Sequence, residues 1–115
     1  MSNMYDKAHE LESALRESEE FQTLKELHDT VNNDESSKRM LDNFRNLQLE
    51  LQQKQMQGVQ ITEEEAQSAQ QQFELVQQHE TISKLMEAEQ RLSTVIGDIN
   101  RIITEPLEDL YGKPE

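Results

Sequence analysis

Apolar residues are sparse in this chain, yet they recur at steps of three and four along most of it. That spacing lines one face of an α-helix, whereas a disordered polar chain has no reason to keep it. Tyr5, Ala8, Leu11 and Leu15 predict a first helix from about Met4 to Glu17. Ser18 is placed to cap a second, with Glu19 and Glu20 at the positive end of its dipole and Phe21, Leu24, Leu27 and Val31 as its apolar face. Asn32-Asn33-Asp34 marks a turn, after which Asp34 or Ser36 caps a third helix reaching about Met56, lined by Met40, Phe44, Leu47 and Leu51.

The clearest punctuation follows in Gly58-Val59-Gln60-Ile61-Thr62. Gly58 permits a chain reversal, and Thr62 with Glu65 makes a capping box for a helix carrying Ala66, Ala69, Phe73 and Val76. A short loop between two helices makes an antiparallel hairpin. A kink or break is expected at 79–81, and the last helix has the best-kept repeat, Ile82, Leu85, Glu89, Leu92, Ile96, Ile99 and Ile103. Met86, Val95 and Ile102 widen that stripe beyond what a two-stranded zipper covers, so it suits the centre of a bundle. Pro106 is expected to open a short terminal turn over 104–115. The expectation is one all-α domain over 1–115, an antiparallel bundle with N-terminal helices over 4–33 and a long hairpin of 34–57 and 62–103. Acid-first i,i+4 pairs, Glu12–Arg16, Glu35–Arg39, Glu50–Lys54 and Glu87–Arg91, mark the opposite, solvated faces.

Composition sharpens this picture by scarcity. With 33% apolar and 30% charged residues over 115 positions, one chain has little core to bury, which favours sharing apolar faces between copies. A net charge of -13 repels phosphate backbones, so no direct nucleic-acid partner is expected. No Lys/Arg-rich amphipathic face, no apolar run of about 20 residues and no signal peptide is seen, so the reading is no membrane and a cytoplasmic location. Cysteine is absent, which removes disulfides and thiolate metal sites.

Candidate chemistry is thin. His9, His28 and His79 are far apart, and no Glu has a His three residues later as a carboxylate di-iron site requires. No Ser lies in a Gly-x-Ser-x-Gly elbow, and the three glycines, Gly58, Gly97 and Gly112, build neither a P-loop nor a dinucleotide fingerprint. The chain therefore reads as no enzyme, with no cofactor and no metal. Glu89, the one acid on the last stripe, is read as snorkelling to its edge or pairing with Arg91, Lys84 or a partner helix, or else as a register-fixing buried contact between subunits. Gly97 costs about 1 kcal/mol within a helix relative to Ala, which close approach of another backbone would offset.

Two stretches carry a family resemblance: Leu15-Arg16-Glu17-Ser18-Glu19-Glu20-Phe21 near the start, and Glu87-Ala88-Glu89-Gln90-Arg91-Leu92 followed by Gly97-Asp98-Ile99-Asn100 near the end. On these the chain resembles the YlbF/YmcA family of small helical bacterial proteins, in its YheA-like branch. The resemblance implies a dimeric cytosolic protein of Gram-positive bacteria. Some relatives are accessory proteins in competence, sporulation, biofilm formation and RNA turnover, while the YheA-like branch is of unknown function. The better-studied relatives carry iron–sulfur clusters on cysteines, and that cofactor does not transfer to a chain without Cys.

The combined reading is a homodimer that also engages an unidentified protein partner, and whose core or dimer packing comes from Phe21, Leu24, Phe44, Leu47, Leu51, Phe73, Val76, Ile82, Leu85, Leu92, Ile96, Ile99 and Ile103. The alternative is a chaperone-like or scaffold protein holding clients between helical arms.

Overall fold

In the computed structural model, which describes residues 3–112, the periodic segments become five α-helices, with no strand among the described residues. They are α1 (Asn3–Glu17), α2 (Glu19–Asn33), α3 (Glu35–Met56), α4 (Glu63–Gln78) and α5 (Glu80–Tyr111). The chain divides into two compact units, residues 3–24 with 87–112 and residues 25–86. In the first, Ala88 and Leu92 are buried; in the second, Val31, Ser37, Leu41, Phe44, Val76, Ile82 and Leu85.

Side chains satisfy helix ends at three of the junctions, whereas Asp34, at the N-cap position of α3, makes no side-chain capping hydrogen bond and is engaged by the Ser37 hydroxyl instead. Ser18 stitches α1 to α2: its hydroxyl donates to the Leu15 carbonyl at 2.6 Å and accepts the Phe21 N–H at 3.2 Å. It thereby pairs an orphan group on each side of the break. The end of α3 is a Schellman motif around Gly58, whose φ of 73° suits a residue without Cβ. Val59 N–H reaches the Lys54 carbonyl at 2.8 Å and Gly58 N–H the Gln55 carbonyl at 3.2 Å. Across the loop, Thr62 caps α4 reciprocally: its hydroxyl accepts the Glu65 N–H at 3.1 Å, and Glu65 Oε1 accepts the Thr62 N–H at 3.0 Å. The second Glu65 oxygen pairs with Lys54 on α3, so one carboxylate starts α4 and ties it to its neighbour. Thr62→Ala is expected to cost about 1 kcal/mol, read as a lower urea midpoint at unchanged slope.

In this hairpin α3 and α4 pack together, and the rings of Phe44 and Phe73 lie tilted, their centroids 6.1 Å apart. Periodicity saw only partners one turn away on the same helix, and here it was incomplete. Glu12–Arg16 forms at 2.9 Å, and the Arg16 hydrogen bond, followed by that of His9, holds the Glu12 carboxyl below its usual range. Lys54 turns to Glu65 instead of Glu50, while among the described residues Glu35–Arg39 and Glu87–Arg91 make no ion pair.

The expected terminal turn after Glu105 is also different. Helix α5 runs through Pro106 to Tyr111, and Gly112, at a φ of 83°, follows its end. Proline removes one N–H and displaces the carbonyl four residues back. That carbonyl belongs to Ile102, which is exposed, so water can satisfy it while the flanking helical bonds persist. Residues 113–115 of the expected turn lie outside the described residues.

Candidate interaction surface

Helix α5 carries one apolar stripe whose surroundings change along its length. Ile82 and Leu85 are 0% exposed and Leu92 9%, but Ile96 is 41%, Ile103 64%, Leu110 71% and Tyr111 81% exposed. At about 100° per residue these side chains share a face, so the same stripe is covered at its start and bare beyond Leu92. Of the other residues expected in the packing, Phe44 and Val76 are buried, while Phe21, Leu24, Leu47, Leu51 and Ile99 are half-buried. Phe73, Ile96 and Ile103 stay exposed in a single chain. Helix α1 buries no residue at all, with Met4, Tyr5 and Leu11 exposed on its stripe.

The bare part of α5 is also uncharged. Its face consists of Ile96, Ile99, Asn100, Ile103, Thr104, Leu107, Leu110 and Tyr111, whereas Asp98, Arg101, Glu105, Glu108 and Asp109 project to other sides. Arg101 is occupied by Asp98 one turn earlier. Among the described residues, no other helix comes within 4 Å of where a Cβ would stand on Gly97, so the close approach its presence suggested is not made within the chain.

Periodicity did not reveal Leu41 and Ala88, both buried, although each lies three residues from a stripe member, Phe44 and Leu85. Nor did it reveal the polar junction around Ser37. That serine is 2% exposed; its hydroxyl donates to Asp34 Oδ2 at 2.6 Å and lies 2.9 Å from His79 Nε2. On the other edge of the ring, His79 Nδ1 accepts the Ile82 N–H at 3.2 Å. An acceptor at Nδ1 must be unprotonated, which puts the proton of the neutral ring on Nε2, from where it is donated to Ser37. A serine nucleophile would need the reverse tautomer, with Nε2 free to take its proton. The chain Ile82 N–H to His79 to Ser37 to Asp34 is therefore wired as a brace: His79 caps α5 and ties the α4–α5 break to the start of α3. The only sequence clue was Ser37 three residues after Asp34, the residue at the N-cap position of α3. Ser37→Ala leaves the N–H of a half-buried imidazole without its protein partner and is expected to cost about 1 kcal/mol in urea unfolding. Among the described residues no three His, Asp or Glu side chains gather as metal ligands, and no helix is long and apolar enough to cross a membrane.

Comparison with known proteins fits this architecture. Residues 4–108 match the family described as Control of competence regulator ComK, YlbF/YmcA. The chain is 76% identical over 115 residues to a UPF0342 protein of Alkalihalophilus pseudofirmus, covering 100% of this chain and 98% of that one. It is 63% identical over 113 residues to the UPF0342 protein YheA of Bacillus subtilis, covering 98% and 97%. Among solved structures, a protein of unknown function (DUF964) from Bacillus stearothermophilus superimposes with a TM-score of 0.83 at 40% identity, over 96% of both chains.

Proposed function

We propose a role that starts from kinship: this chain belongs to the YlbF/YmcA family, within its YheA-like branch, and acts as a non-enzymatic regulatory accessory protein of the cytoplasm in the form of a homodimer. The single observation that carries the dimer is the α5 stripe, covered up to Leu92 and, apart from the half-buried Ile99, exposed from Ile96 to Tyr111. A second copy is the favoured cover because of charge. Two chains of -13 each repel one another, and they can approach only through surface that adds no further like charge. The bare face of α5 is such a surface, while a basic partner would instead seek the acids behind it. Joining two of these faces removes apolar area from water at about 25 cal/mol per Å² without bringing carboxylates together.

The regulatory part follows from the family description, which concerns control of a competence regulator. Its physical counterpart is the acidic exterior left outside the shared stripe, a surface for an unidentified protein partner. Sedimentation equilibrium tests the core of the proposal. At micromolar concentration the protein is expected near twice its 13.5 kDa chain mass, and a monomer at that concentration would sink it. The chaperone-like alternative draws on the same bare residues but requires them to stay available. It predicts suppression of aggregation of unfolded clients by material that sediments as monomer.

A further inference from the structure

We propose that the groove between α3 and α4 receives the end of α5 from a second copy of the chain. This rests on the homodimer reading and specifies which surfaces meet outside the central Ile96–Ile103 seam. The groove, about 320 Å³, is bounded by Arg39, Met40 and Asn43 on α3 and by Gln72, Leu75 and Val76 on α4. That size sits at the low end of the roughly 300–1,000 Å³ of ligand pockets, enough for a few side chains. Val76 and Met40 supply an apolar floor, and Leu75 is 54% exposed on the wall. Arg39 stands there without an ion pair among the described residues, although the chain has 24 acids to 11 bases.

The complement is the last turn of α5. Leu107, Leu110 and Tyr111, spaced i, i+3, i+4, form an exposed apolar ridge of the kind that helices lay into grooves. Glu108 borders that ridge beside Tyr111, and from Ile102 to Gly112 the chain carries three acids and no base. An apolar ridge with an acid edge thus matches an apolar floor with an unpaired arginine. Exchange between two copies makes the contact reciprocal, so the assembly closes on itself and does not grow into a filament.

The absence of cysteine allows a direct test. Full-length Leu75→Cys and Leu110→Cys chains, one of them enlarged by a tag, are mixed and oxidised. A mixed disulfide between chains is expected in excess over either homodisulfide. Arg39→Glu in the Leu75→Cys chain should lower its yield about fivefold, the scale of an exposed ion pair, and Glu108→Arg in the other chain should restore it. Both cysteines replace exposed leucines, and circular dichroism confirms that the variants fold. No excess of mixed disulfide in a protein that still sediments as a dimer overturns this docking and leaves the dimer intact. A chain with both cysteines that closes on itself when dilute shows the occupant to be its own tail and overturns the second copy. A monomeric parent overturns both readings.

Discussion

Ile96→Asp is expected to convert the dimer to a folded monomer. In a single chain Ile96 is 41% exposed, so an aspartate there meets water and need not unfold the helix. In the proposed dimer the same carboxylate would be enclosed without a partner, facing its symmetry mate, and an uncompensated buried charge costs about 3–5 kcal/mol. Each 1.4 kcal/mol is a factor of ten in affinity and a symmetric dimer encloses two such charges, so the dissociation constant should rise to at least about 10⁴ times the parent value. Sedimentation velocity across the micromolar range reads the shift, with circular dichroism showing retained helix. If the variant sediments like the parent, the seam lies elsewhere.

Leu85→Ala acts on the opposite end of the same stripe and should lower stability in place of association. Leu85 is 0% exposed, and truncating a fully buried leucine costs about 2–5 kcal/mol through lost burial and the cavity left behind. Small domains hold only about 5–15 kcal/mol in total, so the urea midpoint should fall steeply and the melting temperature by about 10 °C or more. Together the two variants separate what covers α5 within a chain from what covers it between chains. Loss of dimer without loss of fold in Leu85→Ala, or loss of fold without loss of dimer in Ile96→Asp, would reverse the assignment.

The all-α fold and its hairpin were legible because their signals are local. Gly58 and the Thr62–Glu65 capping box act through the backbone within a few residues, and the three-and-four spacing of Ile82, Leu85 and Leu92 is a property of one helix. What was not legible depends on neighbours distant in sequence. Lys54 could be assigned to Glu50 or Glu65 only once α3 and α4 lay side by side. Ser37 met His79 across 42 positions, and which imidazole nitrogen holds the proton follows from the Ile82 N–H, a group with no sequence signature. Ile103 looked like core because periodicity reports which residues share a face, and it is silent on whether that face is covered. Pro106 misled for a related reason: a proline ends helices on average, but a solvated carbonyl four residues earlier lets this one continue.

The tight Gly58–Thr62 reversal has a consequence in time. Its residues bring α3 and α4 together at small cost in loop-closure entropy, and contacts that join near neighbours in sequence form early and fast. During synthesis the hairpin can assemble before α5 has left the ribosome, whereas the distal part of α5 follows it and, in the proposed dimer, stays bare until another chain is met. If the proposed dimer forms, newly made protein passes through a monomeric stage with this apolar surface showing, whose duration is set by how many copies the cell contains.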